Sequence, residues 1–147
     1  MTFVIREMES ADLPHAFEVR VATWHNERGR EELTALGITP QSVTRMLAET
    51  HRGWVAECDE RIVGFAMGNQ QTGEMWVIAV LREFEGRGLG RALLGRVEDW
   101  LWETWSEIWL TTDLDETLRA VGFYRRLGWV DWKLADGDRY MQKRRPA

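Results

Sequence analysis

Three glycines and two arginines lie together in the middle of the chain, in the segment Glu85-Gly-Arg-Gly-Leu-Gly-Arg91. An apolar run from Met75 to Leu81 precedes them and has the composition of a buried strand, although a buried helical segment gives the same pattern. Apolar residues at helical spacing follow them. A strand, a turn and a helix in that order leave the helix's first N–H groups without backbone partners, and the helix dipole adds roughly half a positive charge there. We call residues 85–90 the glycine turn and predict that it binds a phosphate group.

The spacing of these glycines does not fit two common phosphate-binding motifs. The dinucleotide fingerprint requires G-x-G-x-x-G, but the sixth position is Arg91 when counted from Gly86 and Leu93 when counted from Gly88. The P-loop requires a Gly-Lys-Ser or Gly-Lys-Thr sequence, which does not follow. An ordinary strand-to-helix turn, in which glycine only permits unusual dihedral angles, is the alternative.

A second motif, Ala120-Val-Gly-Phe-Tyr-Arg-Arg-Leu-Gly-Trp129, follows later in the chain. Together the two segments resemble the GNAT superfamily of N-acetyltransferases. Those proteins carry a variant of Arg/Gln-x-x-Gly-x-Gly/Ala after an apolar fourth strand, and a later Ala-x-x-Phe-Tyr-x-x-Leu-Gly-Phe segment. The resemblance covers nearly the whole chain, most strongly from Trp54 to Trp129, and implies one GNAT-like domain over residues 1–147.

Composition sets broad limits on the class of protein. The 147 residues are 44% hydrophobic and 29% charged, which is typical of one soluble domain with a substantial core. The net charge of −5 argues against a nucleic-acid partner, which would require a basic face. No apolar run is long enough to span a membrane, and the first residues lack the apolar core of a signal peptide. We therefore expect a cytoplasmic protein with no membrane partner.

The cysteine and histidine content predicts neither a disulfide nor a metal site. The chain has a single cysteine, Cys58, which we expect to be a small buried hydrophobic residue. Its three histidines are dispersed and show no metal-ligand spacing, so we expect no metal cofactor.

The periodicity predicts seven strands and four helices. The strands are expected at residues 2–6, 54–58, 62–67, 75–81, 108–111, 129–134 and 139–143. The helices are expected after a cap at Ser10 or Asp12, after Thr39-Pro40, after the glycine turn, and from about Glu116 to Leu127. Residues 26–37 are expected to form a loop or a broken helix. This pattern predicts a mixed α/β (α+β) domain with a mostly antiparallel sheet and helices on both faces.

The resemblance implies direct acetyl transfer from acetyl-CoA to a primary amine, and this chemistry needs an acid and a base. Tyr124 occupies the position where the family often uses a phenol to protonate the coenzyme sulfur. Its alternative role is a half-buried aromatic residue on an amphipathic helix. Glu74, at the start of the central strand, is one candidate base, and His25 is another with a suitable unperturbed pKa. Either residue could instead be a solvated surface group.

The contacts implied for the coenzyme are mostly with the backbone. The central strand would pair with the pantetheine arm, a separation from the next strand would admit that arm, and the amides of the glycine turn would hold the pyrophosphate. The residues assigned to these contacts are Ile78, Ala79, Val80, Arg87, Gly88, Leu89, Gly90, Arg91 and Thr117.

The chain departs from the family pattern at three positions. Glu85 stands where the family has arginine or glutamine, which brings a negative charge beside a phosphate site. Thr117 replaces the usual asparagine, and Arg82 replaces a common proline. Two alternatives to acetyl transfer therefore stay open: a coenzyme-A-binding sensor or interaction domain without turnover, and transfer of a different acyl group.

Most of the nine tryptophans are expected to be core or partly buried residues, whereas Trp24 and Trp76 are candidates for an acceptor site. Trp24, Trp76 and His25 are the predicted acceptor-binding residues. If Trp76 shares a face of the central strand with Glu74 and Ile78, it could wall the pocket and stack on a cationic amine. Exposed tryptophans on the late strands would instead indicate self-association, so a homodimer is one expectation. The acceptor itself, a small molecule, a peptide or a lysine, is not specified by the sequence.

Overall fold

The computed structural model describes residues 2–23, 30–112, 114–115 and 119–147. The strands are β1 Phe3–Glu7, β2 His51–Cys58, β3 Arg61–Asn69, β4 Glu74–Val80, β5 Glu107–Thr112, β6 Val130–Ala135 and β7 Asp138–Arg144. The helices are α1 Leu13–Thr23, α2 Arg30–Ala35, α3 Pro40–Glu49, α4 Leu89–Leu101 and α5 Arg119–Arg126. Two short 3-10 turns lie at Ser10–Asp12 and Arg82–Phe84. No helix in these ranges is both long and apolar enough to cross a membrane.

The strands form one seven-stranded sheet in the order β1-β2-β3-β4-β5-β7-β6. Every neighbouring pair is antiparallel except β4 and β5, which run parallel. The predicted mixed, mostly antiparallel sheet with helices is therefore confirmed.

The two faces of the sheet carry different helices. Helix α4 packs on β2, β3 and β4, and glycines in β3 allow it to lie close. A Cβ atom on Gly64 would lie 3.3 Å from the Leu93 side chain, and one on Gly68 would lie 2.7 Å from Val97. Helices α1 and α3 cover the opposite face, where Phe65 of β3 is buried.

Buried Glu98 connects α4 to the C-terminal half of the sheet. Its carboxylate accepts a hydrogen bond from Trp129 Nε1 at 2.9 Å and another from Lys143 Nζ at 2.9 Å. Both oxygens of the carboxylate are thereby paired, as a buried charge requires. The contact fixes the segment that follows α5 relative to α4 and β7.

Two features near the N-terminus differ from the predictions. Helix α2 lies in the segment predicted as a loop or broken helix, so the described residues contain five α-helices rather than four. Glu9, rather than Ser10 or Asp12, is the N-cap of the first turn, because the Asp12 carboxylate accepts the Glu9 N–H at 2.8 Å and pairs with Arg6. The predicted Thr39 cap of α3 is confirmed by a 3.1 Å hydrogen bond from the Ser42 N–H to Thr39 Oγ1.

Candidate active site

The backbone of the glycine turn requires its glycines. Gly86 and Gly88 have φ angles of 78° and 81°, in the left-handed region that side chains disfavour. A Cβ atom at either position would meet no other atom within 4 Å, so the outer surface of the turn is open. Gly88 is also the N-cap of α4, and no side chain caps this helix.

The amides of the glycine turn form a site for an anion. The first backbone hydrogen bond of α4 runs from the Ala92 N–H to the Gly88 carbonyl oxygen at 3.1 Å. The N–H groups of residues 86–91 donate no hydrogen bond within the described part of the chain. Unpaired N–H groups at a helix N-terminus attract a negative charge, and the absence of side chains at Gly86 and Gly88 leaves them accessible.

Helix α5 packs against the beginning of α4. A Cβ atom on Gly90 would lie 3.4 Å from the Phe123 ring, at van der Waals distance, so the two helices are in contact here. The Glu85 carboxylate forms an ion pair with the Arg119 guanidinium at the beginning of α5. The negative charge that departs from the family pattern is therefore balanced by a neighbouring cation.

The two arginines of this segment occupy different surroundings. The Arg87 guanidinium lies over the rings of Phe3 and Phe84, at 5.8 and 5.9 Å from their centroids. Such cation–π contacts hold the side chain on the β1 side of the turn. Arg91 is exposed in the first turn of α4, where its charge adds to that of the helix N-terminus.

Strand β4 separates from β5 shortly after it begins. The pair Glu74 and Trp109 is the only register pair between these strands in the described part of the chain. Residues 78–80 lie beyond this point, so their backbone groups that point away from β3 have no strand beside them. An unpaired strand edge can hydrogen-bond an extended ligand.

Tyr124 lies on α5, which follows β5 in the chain. Its side chain is only 6% exposed, and its ring packs against Phe123 and Trp129, with centroid distances of 5.5 and 6.2 Å. Gly128, with φ of 95°, ends α5, and the Trp129 N–H donates to the Tyr124 carbonyl oxygen at 3.1 Å. Burial raises the pKa of Tyr124, and the nearby positive charge of Arg20 opposes part of this effect.

Three polar side chains form a row on the sheet face that α1 and α3 cover. His51 of β2 pairs in register with Asn69 of β3, which in turn pairs with Glu74 of β4. Residues paired in this way share a face of the sheet. Glu74 is partly buried, and burial raises its pKa to about 7. A carboxyl group with this pKa can accept a proton near neutral pH.

A β-bulge places Trp76 on the same face. Met67 pairs with Val77 and Gly68 pairs with Met75, which leaves Trp76 without a partner in β3. Trp76 and Val77 therefore both line a cavity of about 180 Å³ between the sheet and the helices, which we call the α1 cavity. Its walls are Leu13, Ala16, Phe17, Arg20, Leu33, Leu36, Ile38, Val43, Phe65, Met67, Trp76 and Val77.

Sequence comparison gives the family. Residues 7–129 match the sequence profile of the acetyltransferase (GNAT) family. The chain belongs to this family. The uncharacterized N-acetyltransferase MJ1530 of Methanocaldococcus jannaschii is 33% identical over 84 residues, which cover 55% of this chain and 54% of that protein. The match thus spans about half the length of that relative.

Solved structures share the fold of this GNAT-family chain. The PaiA N-acetyltransferase of Thermoplasma acidophilum, in complex with coenzyme A, has a TM-score of 0.85 at 17% identity and covers 99% of this chain and 100% of its own. The ribosomal-protein-S18-alanine N-acetyltransferase of Escherichia coli has a TM-score of 0.76 at 20% identity, with 97% and 94% covered. At these identities the likeness concerns the fold.

The structure places most of the residues that the sequence singled out in this GNAT domain. Glu74, Trp76 and the predicted coenzyme-binding residues 78–80 lie on β4. Residues 87–91 lie in the glycine turn and the first turn of α4, and Tyr124 lies on α5. One expectation about faces is wrong: Trp76 shares the face of Glu74, but Ile78 lies on the α4 face, because the bulge shifts the alternation by one residue. Trp24, His25 and Thr117 lie outside the described residues.

Sequence reasoning missed His51. Its ring contacts the Trp76 ring edge to face, and its Nδ1 lies 2.6 Å from Thr50 Oγ1. Burial lowers the pKa of His51, so the imidazole is neutral at pH 7. The sequence places His51 after a helix in no motif, and only the pairing of β2 with β3 brings it to the site.

Proposed function

We propose that this GNAT-family chain is an N-acetyltransferase that moves acetyl from acetyl-CoA to a primary amine by direct transfer. The observation that carries the proposal is the succession, along the chain, of two sets of unpaired backbone groups. The unpaired edge of β4 at residues 78–80 is followed by the unpaired amides of the glycine turn. Glu74 lies at the start of the same strand, and Tyr124 lies on α5, next to Phe123, which packs near Gly90.

The coenzyme fits the residues present. Amides of residues 87–91 would bind the pyrophosphate, with charge added by Arg91, and the backbone of Ile78, Ala79 and Val80 would pair with the pantetheine arm. Bound acetyl-CoA supplies a thioester that an amine can attack. Thr117 is the remaining predicted contact of the coenzyme.

Glu74 is the proposed general base. An ammonium substrate must lose a proton before its nitrogen can attack, and a carboxylate with a pKa of about 7 is suited to that task. The carboxylate makes no hydrogen bond or ion pair with a described residue, so it is available to a substrate amine or a water molecule. Among the described residues this role falls to Glu74.

Tyr124 is the proposed general acid. Burial keeps the phenol protonated across the physiological range, so it has a proton to donate. During direct transfer the amine nitrogen bonds to the acetyl carbon as the carbon–sulfur bond breaks. Glu74 has by then taken one proton from the ammonium and passes it to solvent. As the amide forms, the nitrogen loses its second proton to solvent while Tyr124 gives its proton to the sulfur. Solvent then restores the phenol, so an amide, a free thiol and one released proton result.

Steady-state thiol release with acetyl-CoA and a panel of amines tests this function. Turnover that needs both an amine and acetyl-CoA supports an enzyme. Stabilisation of the fold by coenzyme A without turnover supports the sensor alternative instead, because a ligand that binds only the folded state raises the melting temperature. Propionyl-CoA and longer acyl-CoA esters, compared at equal concentration, test the acyl group.

The expected homodimer stays a prediction. Edge strand β6 exposes Val130, Trp132 and Leu134 at 56%, 49% and 62%. Sedimentation analysis of the wild-type chain and of Trp132→Lys tests whether this strand associates.

A further inference from the structure

The α1 cavity has an almost entirely apolar lining. Every described lining residue is apolar except Arg20, and none is acidic. Of its lining residues, Leu13 and Met67 are almost fully buried at 1% and 2% exposure, whereas Leu36 is 61% exposed, so we take Leu36 as the mouth of the cavity. A ligand group inside this cavity would therefore contact mainly carbon atoms.

This lining disfavours polycations. A polyamine carries a second ammonium group that would leave water for a site whose described lining holds no carboxylate, which is strongly unfavourable. A single amino group avoids this penalty if it stays at Glu74 rather than entering the cavity.

The volume limits the size of the apolar group. The cavity measures about 180 Å³. An apolar cavity of about 150 Å³ holds one benzene molecule, so the α1 cavity admits one aromatic ring or one branched alkyl group.

The cavity also lies next to the proposed catalytic groups. Trp76 and Val77 of its wall belong to β4, one and two residues beyond Met75, and Glu74 lies on the same face of that strand. The positive charge of Arg20, in the opposite wall, opposes part of the rise in the pKa of Tyr124. A group in the cavity can thus be attached to an amine that lies at Glu74.

We infer that the acceptor is a monoamine whose amino group is joined to one apolar group, either a single aromatic ring or a branched alkyl group, which binds in the α1 cavity. This inference rests on the proposed acetyl transfer and specifies its substrate class.

A homologous amine series tests the inference. We expect kcat/KM to rise about fourfold per methylene from ethylamine to hexylamine, and to be high for 2-phenylethylamine, because each buried methylene contributes transfer free energy. Spermidine and a peptide with an N-terminal glycine should be at least about tenfold poorer than 2-phenylethylamine. A flat series, or a preference for spermidine or the peptide, overturns the inference while leaving acetyl transfer in place.

A filled cavity provides the matched variant. Ala16 of α1 is 2% exposed and lines the cavity, whereas Ala22 on the same helix is exposed. Ala16→Phe should abolish the chain-length dependence and lower kcat/KM for 2-phenylethylamine at least about tenfold, with ethylamine little affected. Ala22→Phe should leave the series unchanged, and equal losses in both variants contradict the inference.

A surface variant covers the case in which Ala16→Phe does not fold. Leu36→Glu adds a carboxylate at the mouth and should shift the kcat/KM ratio toward spermidine by several-fold. Leu134→Glu is the control, because Leu134 is equally exposed, at 62%, on β6. An unchanged ratio for Leu36→Glu counts against the assigned cavity.

A binding measurement tests the inferred class of acceptor separately from the proposed acetyl transfer. In the presence of coenzyme A, amines of increasing length should raise the melting temperature progressively in the wild type but not in Ala16→Phe. If no amine gives thiol release, the proposed enzyme fails, and this binding series then decides the ligand class by itself. Absence of any length-dependent stabilisation overturns the inference.

Discussion

The ring of His51 meets the ring of Trp76 edge to face, with 5.0 Å between the two centroids. The contact joins β2 to the bulge of β4, across β3. Trp76 has no register partner in β3, so His51 supplies a support that the sheet itself does not. The position of one wall of the α1 cavity therefore depends on a residue that does not line it.

Removal of the His51 ring should loosen the cavity wall. We expect His51→Ala to raise KM for an apolar amine several-fold with a smaller change in kcat, and to lower the free energy of unfolding by about 1 kcal/mol, because an aromatic pair is lost. Amine kinetics and urea denaturation measure the two effects. His51→Phe retains a ring and should recover most of both, whereas equal damage in Phe and Ala variants would assign the effect to the imidazole nitrogens.

The elevated pKa of Glu74 predicts the pH dependence of the reaction. The carboxylate form predominates above about pH 7, so kcat/KM should rise through that pH and then level off if Glu74 is the base. Glu74→Gln should remove this limb and lower the rate by roughly 10²-fold or more. If Glu74→Gln shows the same rise of kcat/KM with pH as the wild type, another residue is the base.

The titration of Glu74 should also affect stability, but in the opposite direction: the free energy of unfolding should fall over the pH range in which kcat/KM rises. Because burial raises the pKa of folded Glu74 from 4.5 to about 7, the folded state binds more protons than the unfolded state between these values. The stability of the wild type relative to Glu74→Gln should therefore fall as the pH rises from 4.5 to 7. Urea denaturation of both proteins across this range measures the difference, and a parallel pH dependence of the two would contradict the shifted pKa.

The parts of the site that the sequence predicted are local. The glycine turn, the Thr39 cap and the Gly128 helix end each depend on a few consecutive residues whose backbone conformations follow from residue type. The strands of the sheet could also be predicted, because the spacing of apolar residues indicates which segments form buried strands.

The parts that the sequence did not predict depend on register. The bulge at Trp76 reverses the expected face of Ile78, and nothing in the local sequence of β4 indicates an extra residue. His51 reaches the site only through pairing with β3, and helix α2 is a six-residue segment too short for a clear helical period. Such features arise from contacts between distant residues.

Tyr124 should affect turnover more than binding. We expect Tyr124→Phe to lower kcat by roughly 10²-fold, because the ring packing with Phe123 and Trp129 is retained while the proton donor is lost. Binding of acetyl-CoA, measured by calorimetry, should change little. Tyr140→Phe is the control, since Tyr140 is the other tyrosine of the chain and stacks on Trp109 of β5. Full activity of Tyr124→Phe would remove the acid role.

The ion pair between Glu85 and Arg119 should protect coenzyme binding from the negative charge of Glu85. We expect Arg119→Ala to raise the Kd for coenzyme A several-fold, because the carboxylate beside the glycine turn loses its partner. The double variant with Glu85→Gln should regain the wild-type Kd, and the effect of Arg119→Ala should shrink at high salt. If Arg119→Ala weakens binding equally in the Glu85→Gln background, Arg119 contacts the coenzyme directly.

The buried Glu98 should couple the stability of the fold to the position of Tyr124. Lys143→Met removes one of the two donors to the Glu98 carboxylate and should lower the free energy of unfolding by about 2 kcal/mol, because a partly unpaired charge stays buried. Glu98→Gln combined with Lys143→Met should recover part of this loss, since no charge is then left without a partner. Urea denaturation gives both values.

The same contact should affect activity, which is measured as kcat well below the unfolding temperature. The Trp129 indole donates to Glu98 and packs on Tyr124. Trp129→Phe removes the hydrogen bond between residue 129 and Glu98, so kcat should fall more in this variant than in Lys143→Met. An unchanged kcat in Trp129→Phe would show that Tyr124 is positioned without Glu98.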